Sequence, residues 1–497
     1  MIKFCQIILF FFFYLQISIL HASQAYCVFD ADIRKIYAEI INLDLDLARI
    51  SIGNKADTSL NKAYLLLENE IDFYSLFIYE QKSEYENKKS FKSKRLNLIK
   101  HSDLPLQWKR FLQAEILLQW SLIHLKQEDE FRSFQSIRES IQLLEDNANE
   151  FPDFMYTYKS LGILHTLMST IPAGFQWAAW LLGMKAQLLS GKVELQKYIQ
   201  YAEPRQDLFL DESYAAMGFI IAYLENKPES AYQYWTRKTG DKSLNALHTL
   251  VHSKLAIKAG FNDDAIRTIE SLRDLERDKL PLLYFLLGQT SMQKLNLKAD
   301  QHFHKFLNLH KGSTYIKESY QKLAWISLLK GEPGLYRLYI SNCLIKGNAF
   351  NDEDRQAKQE ALSGKIPDLY LLKARLLFDG GYMKQADEML SPRIEEYYAN
   401  PDKKLECAYR LGRICQMNKQ PARALQFYND ALHFDPQNNS FMSCNALLQS
   451  GIIFESLQKK DDSFSYFKKV LQTNPDQYKR SLHQKAKAGI ARLNGSG

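Results

Sequence analysis

The sequence lacks the short motifs that accompany common enzyme chemistries. It has no Gly-x-Gly-x-x-Gly fingerprint, no P-loop, no Gly-x-Ser-x-Gly elbow and no His-Glu-x-x-His helix. These motifs carry dinucleotide binding, nucleoside triphosphate binding, serine hydrolysis and zinc proteolysis. We therefore predict no catalytic residue and no cofactor, and we do not expect an enzyme. Two carboxylates that meet in a pocket need not be close in sequence, so a hydrolase on a helical scaffold stays an alternative.

The sequence is also poor in cysteine and in metal-ligand clusters. It has six cysteines among 497 residues and no Cys-x-x-Cys pair, which is too few for a disulfide-built scaffold. A single bridge between Cys407 and Cys444 stays open. His248 and His252 have the spacing of two ligands on one helix face, but no third ligand stands near them in the sequence. Because a zinc site needs at least three protein ligands, no metal site is predicted.

No strong charge of one sign is present. The net charge is +7 over the whole chain, and residues 82–100 and 479–492 are locally basic. Such runs are usually the solvated face of a helix, although they can contact an anionic surface. The charge therefore predicts no nucleic-acid partner and leaves a peripheral contact with the cell envelope open.

What the chain does have begins with an apolar segment. Lys3 precedes the apolar residues 4–20, and Ser23 and Ala25 place small side chains at the −3 and −1 positions of a cleavage site. This pattern predicts a secretory signal peptide over residues 1–25, and hence a periplasmic or extracellular protein. A retained membrane anchor is the alternative, because the apolar run approaches the roughly 18 residues that a spanning helix needs.

Two consecutive repeats occupy residues 404–475. They place matching residue types at offsets 4, 7, 8, 11, 20, 24, 27 and 32 of each unit. The first repeat has Ala408, Leu411, Gly412, Cys415, Ala424, Tyr428, Ala431 and Pro436, and the second has Leu447, Ser450, Gly451, Phe454, Ser463, Phe467, Val470 and Pro475. Small residues let two antiparallel helices approach closely, large residues fill the seam, and the proline ends the second helix.

These repeats resemble the tetratricopeptide repeat (TPR) superfamily. Weaker repeats from about residue 212 onward, anchored on Gly218, Gly288 and Ala374, resemble it less strongly. The mature chain resembles secreted bacterial proteins of that superfamily. The resemblance implies an all-α fold in which antiparallel helix hairpins stack into a right-handed superhelix, an α-solenoid, with the first helix of each hairpin on the concave side.

The pattern divides the mature chain into three parts. We expect an N-terminal helical domain over residues 26–205, degenerate TPR-like repeats over 206–402, and two clear repeats with a C-terminal capping helix over 403–497. The N-terminal domain includes residues 161–189, the most apolar stretch of the mature chain. A proline and a glycine break this stretch into pieces too short to span a bilayer, which predicts a buried helical hairpin.

The resemblance also implies which residues face the groove. In TPR proteins these stand at offsets 2, 5, 9, 12 and 13, which here are Arg375, Phe378, Glu406, Tyr409, Arg413, Gln416, Met417, Asn445 and Glu455. Arg375 and Arg413 occupy the same offset in successive repeats, so they could clamp a carboxylate or an acidic segment beside an apolar platform at Tyr409. The alternative is that both arginines pair with Glu406, Glu455 or Asp379.

The first functional hypothesis is a non-enzymatic scaffold or adaptor. It would bind a protein or peptide partner along the groove, in the cell envelope or outside the cell. The alternative is a glycan or small-molecule binding protein of the envelope that uses Trp177 and Trp180 of the apolar hairpin. No oligomeric state is predicted.

Overall fold

The protein is built from α-helices joined by short connections. The computed structural model describes residues 24–168, 188–240 and 245–494. Within these ranges the only strand pairing is an isolated parallel bridge between Tyr26 and Asn61. No helix in the same ranges is long and apolar enough to cross a membrane. The prediction of an all-α fold of antiparallel helix hairpins, with a TPR-like arrangement, is confirmed.

The helices are numbered in chain order. They are α1 (Ala31–Ile41), α2 (Leu45–Ile52), α3 (Lys55–Thr58), α4 (Ala63–Tyr79), α5 (Lys82–Lys88), α6 (Phe91–Lys100), α7 (Leu106–Lys126), α8 (Glu130–Glu150), α9 (Tyr156–Met168), α10 (Leu188–Ala202), α11 (Leu210–Phe219), α12 (Pro228–Thr239), α13 (Ala246–Lys258), α14 (Asn262–Ser271), α15 (Asp274–Asp278), α16 (Leu282–Gln293), α17 (Asp300–Leu309), α18 (Ile316–Lys330), α19 (Pro333–Ile345), α20 (Asp352–Ser363), α21 (Leu369–Asp379), α22 (Met383–Leu390), α23 (Ile394–Tyr398), α24 (Lys404–Met417), α25 (Pro421–Phe434), α26 (Phe441–Ser456), α27 (Lys460–Gln472) and α28 (Lys479–Leu493).

Contacts divide the chain into two compact units. Unit 1 contains the chain up to Ala259 together with Thr268–Leu283 and Phe306–Thr314, and unit 2 contains Gly260–Arg267, Tyr284–Lys305 and the chain from Tyr315 onward. This division does not test the domain boundaries expected near residues 205 and 402, which stay predictions.

Unit 1 is a series of helix hairpins. Helix α7 packs along α8, α9 along α10 and α11 along α12, while α4 packs on α7. Helices α9 and α10 cross very closely, since a Cβ added to Gly162 would lie 2.6 Å from the carbonyl oxygen of Gly191. Of the apolar hairpin expected over 161–189, α9 ends at Met168 and α10 begins at Leu188. Trp177 and Trp180 lie outside the described residues.

Unit 2 contains the hairpins of the clear repeats. Helix α18 packs along α19, α21 along α22, α24 along α25 and α26 along α27, and α28 covers α26 and α27. Pro421 stands in the first turn of α25, where no intrahelical N–H is needed. Asp368 caps α21 by accepting hydrogen bonds from the backbone N–H groups of Tyr370 and Leu371, at 3.0 and 3.1 Å.

In these hairpins a glycine of the first helix faces an aromatic ring of the second. A Cβ added at Gly412 would lie 2.5 Å from the ring of Tyr428, and one at Gly451 would lie 2.7 Å from the ring of Phe467. In the weaker repeat anchored on Gly288, a Cβ added at this glycine would lie 3.1 Å from the ring of Phe303. Tyr428 and Phe467 are fully buried, and both stand at offset 24 of the repeat. The ring therefore fills the volume that the missing side chain leaves.

We expect Gly412→Ala to destabilise unit 2 by about 1–3 kcal/mol, because the added methyl group has to displace a buried ring. Gly334→Ala is the matched control, since a Cβ there has no heavy atom within 4 Å. Urea unfolding followed by circular dichroism measures both variants. Equal unfolding midpoints for the two would contradict the close packing of Gly412 on Tyr428.

Candidate functional site

Cations on the first helices of unit 2 lie over aromatic rings. The guanidinium carbon of Arg375 on α21 lies 4.9 Å from the ring centre of Trp325 on α18. The guanidinium carbon of Arg413 on α24 lies 5.2 Å from the ring centre of Phe378 on α21. Lys322 Nζ lies 4.0 Å from the Trp325 ring centre. Each such contact contributes about 0.5–2 kcal/mol. We call these five residues the cation–ring wall.

A chain of hydrogen bonds links the wall to α26. The Tyr409 hydroxyl accepts hydrogen bonds from Asn445 Nδ2 at 2.6 Å and from Arg413 Nη1 at 3.3 Å. Asn445 Oδ1 accepts from Gln449 Nε2, and Gln449 Oε1 accepts from Gln416 Nε2, both at 3.1 Å. The predicted groove residues of α24 and α26 are therefore brought together by one polar network.

Tyr409 is not the exposed apolar platform that the sequence led us to expect. Its side chain is largely buried, with 8% of its surface exposed. Its ring packs edge-on against Phe441, and its hydroxyl orients Arg413 and Asn445. Tyr409 therefore positions the polar groups of the site, and only its hydroxyl is placed to meet a ligand.

Arg413 carries unused hydrogen-bonding capacity. Its Nε is buried and has no hydrogen-bond partner among the described residues. Within the same ranges its single hydrogen bond goes to the neutral hydroxyl of Tyr409, and no carboxylate lies within ion-pair distance. A buried donor without an acceptor costs about 1–3 kcal/mol, so an anionic acceptor at this position would recover that free energy.

Two of the predicted groove carboxylates are engaged by cations outside the wall. Glu406 accepts hydrogen bonds from Arg410 on its own helix, one of them from Nε at 2.7 Å. Glu455 accepts from both Nε and Nη2 of Arg492 on α28, at 2.8 and 2.7 Å. Neither carboxylate neutralises the arginines of the wall, so this part of the alternative pairing does not occur.

Arg375 has only a weak carboxylate partner. Asp379, one helical turn further along α21, lies 3.8 Å from Arg375 Nε, and the two side chains are 45% and 37% exposed, respectively. Exposed pairs of this kind contribute between about 0 and 1 kcal/mol. A stronger anion can therefore replace Asp379 at Arg375 with little loss.

Sequence analysis missed Lys322 and Trp325. These residues stand at the same repeat offsets as Arg375 and Phe378, and both pairs have the spacing cation-x-x-ring. Gln321 occupies the position where the repeat has a small residue, so the TPR pattern does not identify this unit. The cation-x-x-ring spacing is the signal that could have found the pair.

Unit 2 also has an open cavity of about 680 Å³ between α21 and α22. Its charged lining residues are already engaged: Lys294 Nζ contacts Asp263 at 2.7 Å, while Arg393 donates to a backbone carbonyl and stacks on Tyr370. The Tyr382 hydroxyl donates to Asp263. The cavity therefore offers a ligand fewer unpaired hydrogen-bonding groups than the Arg413 site does.

The cysteines and the histidine pair His248 and His252 show no sign of a disulfide or a metal site among the described residues. The described cysteines, which include Cys407 and Cys444, are free and buried, so the bridge that was left open is not formed. Burial raises the pKa of the Cys407 thiol to about 12, which keeps it protonated and unreactive. His248 packs 4.7 Å from the ring of Trp235. In the part of the chain that the structure describes, no group of three His, Cys, Asp or Glu side chains is placed to hold a metal ion.

The comparisons with known proteins add little to this description. No family model matches the chain, and no curated protein matches it. It is similar to the solved TPR domain of P58(IPK), with 13% identity over 75% of this chain and 98% of that one, TM-score 0.21. It is similar to yeast Tom70, with 13% identity over 93% and 88%, TM-score 0.24, and to the human IFIT1 dimer with PPP-AAAA, with 10% identity over 90% and 95%, TM-score 0.35. At such TM-scores the likenesses carry no argument, and the fold rests on the packing given above.

We expect Tyr409→Phe to destabilise unit 2 by about 1–2 kcal/mol, because Asn445 and Arg413 would lose a shared acceptor. Tyr370→Phe is the control, since the Tyr370 hydroxyl makes no hydrogen bond within the described ranges and its ring is partly exposed. Urea unfolding monitored by tryptophan fluorescence measures the difference. A Tyr409→Phe variant as stable as Tyr370→Phe would show that the network is not holding α24 to α26.

Proposed function

We propose that this helical-repeat protein is a non-enzymatic scaffold that binds an acidic segment of a protein or peptide partner at the cation–ring wall. The observation that carries the proposal is Arg413, a largely buried cation with an unpartnered Nε and no carboxylate partner in the described chain. A carboxylate from a partner would supply the missing acceptor. Hydrogen bonds between charged groups are about twice as strong as neutral ones.

Tyr409 supports the same ligand chemistry. Its hydroxyl oxygen already accepts hydrogen bonds from Asn445 and Arg413, which leaves its proton available for donation. A carboxylate that contacts Arg413 could accept this proton as a second hydrogen bond. Arg375, whose pairing with Asp379 is long and exposed, offers a further cation to an extended acidic segment.

The rings of the wall favour a peptide over a nucleic acid or a glycan. Single-stranded nucleic acids and sugars need exposed aromatic faces on which a base or a pyranose ring can stack. Trp325 is only 2% exposed and lies under Lys322 and Arg375, while Arg413 covers Phe378. The wall therefore offers Arg375 and Arg413 to a partner, with the rings beneath them, whereas Lys322 is buried and pairs with Glu318 at 3.3 Å.

Peptide selection tests the proposal directly. We expect peptides selected on the full chain from a random displayed library to be enriched in Asp and Glu. Arg413→Gln removes the charge while keeping an amide, and it should weaken binding of a selected peptide about tenfold, the loss of one charge-assisted hydrogen bond. Fluorescence anisotropy with the labelled peptide measures the affinity.

The control variant is Arg423→Gln, which removes an equal charge from the second helix of the same repeat. Arg423 is exposed and donates to Gln420, which directly precedes α25, so we expect binding to be unchanged. Selected peptides without acidic enrichment, or equal affinity of the Arg413→Gln and Arg423→Gln variants, would overturn the proposal.

We further propose that the protein acts after export, in the envelope or outside the cell. The signal-peptide pattern supports this, with cleavage expected after Ala25. Tyr26 donates its backbone N–H to Leu60 at 3.0 Å and accepts from Lys62 at 2.8 Å, and Cys27 is buried. Cleavage at this point would remove the buried Ala25 and keep the paired Tyr26 and the buried Cys27.

We expect amino-terminal sequencing of the protein from its native host to begin at Tyr26. Ala25→Leu, which replaces the small residue before the cleavage position, should block processing and leave the longer chain. A native protein that begins at Met1 and fractionates with the cytoplasm would contradict the export proposal.

A further inference from the structure

Unit 1 brings four charged side chains together from four different helices. Glu70 lies on α4, Glu115 on α7, Lys159 on α9 and Glu212 on α11. Glu115, Lys159 and Glu212 all act electrostatically on the buried Glu70, so its carboxyl group lies near theirs. We call these residues the acidic cluster. The cluster has three acidic groups and one basic group.

Lys159 is bound to two of the three carboxylates. Its Nζ, which is almost completely buried, lies 2.8 Å from Glu115 Oε2 and 3.3 Å from Glu212 Oε1. Ser160 donates a hydrogen bond to the other oxygen of Glu115. Glu115 therefore has a partner at each oxygen. A lysine fixed between Glu115 and Glu212 also argues against these two acting as the facing acid and base of a hydrolase.

Glu70 uses only part of its hydrogen-bonding capacity, because it bonds to the side chain of Gln119 but keeps one oxygen without a partner. It is 95% buried, with 5% of its surface exposed, and its Oε2 has no hydrogen-bond partner among the described residues. Desolvation and then repulsion from Glu212 raise the pKa of Glu70 well above its ordinary value. An acceptor in this position lacks the donor that buried carboxylates normally have.

The contrast with Asp72, two residues along the same helix, makes the deficit of Glu70 specific. Asp72 is equally buried, but it lies within 3.2 Å of Arg49, Lys88 and Arg95. Those cations lower the pKa of Asp72 despite its burial. Helix α4 thus carries two buried carboxyl groups. Asp72 has three cations of its own unit as partners, whereas Glu70 has an oxygen without a partner.

The cluster is open to solvent on the side of Glu212. The Glu212 side chain is 45% exposed although it contacts a fully buried lysine, so it links the buried members of the cluster to the surface. Tyr37 and Tyr74 are partly buried, and the Glu70 carboxylate, after burial, raises the pKa of both phenols. A ligand that enters past Glu212 would therefore meet Glu70 next to two phenol groups.

We propose that the acidic cluster binds a cation that donates N–H hydrogen bonds, a primary amine or a guanidinium group. Such a group would donate to the unpartnered Glu70 Oε2 and to Glu212, and its charge would favour the ionised form of both carboxyl groups. The amine can belong to a small molecule or to a lysine or arginine side chain of a peptide. The chemistry is opposite to that of the cation–ring wall, so this proposal does not depend on the proposed function.

Calorimetric titration of the full chain tests the site with two probes. L-argininamide represents a free small cation, and acetyl-Gly-Ser-Arg-Ser-Gly-amide represents an arginine within a peptide. The same peptide with citrulline in place of arginine is the neutral control. We expect saturable binding of at least one cationic probe below about 10 mM and at least tenfold weaker binding of the citrulline peptide.

Glu70→Gln and Glu212→Gln each remove one acceptor charge without changing side-chain size. We expect each variant to weaken binding about tenfold. Glu139 is an exposed residue of α8, outside the acidic cluster, so Glu139→Gln should leave binding unchanged. Glu212 is half exposed, so its variant keeps the test valid even if Glu70→Gln lowers stability. Circular dichroism confirms the fold of each.

The pattern of results identifies the source of the cation. Binding of argininamide alone would assign a small-molecule amine, and binding of the peptide alone, or much tighter binding of it, would assign a peptide ligand. Absence of binding by both probes would overturn the proposal. Undiminished binding in the Glu70→Gln/Glu212→Gln double variant would overturn it as well, because the cation would then bind elsewhere.

Discussion

The rest of unit 2 depends on the contact between a glycine of one helix and an aromatic ring of the next. Gly412 has no side chain, so the ring of Tyr428 can lie against the backbone of α24. This contact sets the distance between the two helices of the hairpin, and the repetition at Gly451 and Phe467 sets it again. Because hairpins stack only on neighbours of the same shape, the spacing of the whole series follows from these pairs.

The hydroxyl group of Tyr428 connects this glycine–ring contact to the candidate site. Tyr428 packs on Gly412 with its ring and donates its hydroxyl proton to Gln416 Oε1 at 2.6 Å. Gln416 is then bound through Gln449 and Asn445 to the hydroxyl of Tyr409. Side chains that present ligand-binding groups are thus held by the residues that space the helices. A ligand at the wall meets groups whose ordering has already been fixed by folding, which lowers the entropic cost of binding.

The features that follow from local spacing were predictable, and those that need several distant helices were not. The offsets of Gly412 and Tyr428 identify a hairpin from the sequence alone, and the equal offsets of Arg375 and Arg413 place both on first helices. The burial of Tyr409 was not predictable, because it depends on Phe441 from the next repeat. The acidic cluster was invisible for the same reason: Glu70 and Glu212 are separated by most of unit 1, and their repeats are too degenerate to align.

Unsatisfied buried atoms distinguish the two proposed binding sites from a structural ion-pair network of unit 1. Arg95 shows the structural case: it is almost fully buried, yet Glu68, Asn69 and Asp72 accept hydrogen bonds from three of its nitrogens. Glu70 is buried to a similar degree and Arg413 is partly buried, but each keeps a buried polar atom without a partner among the described residues. Both costs oppose folding, and a sequence selected only for stability would remove them by substitution with Met or Gln. Each also lies among other charged groups, Arg413 in the cation–ring wall and Glu70 in the acidic cluster, and this is the reason to propose each as part of a binding site.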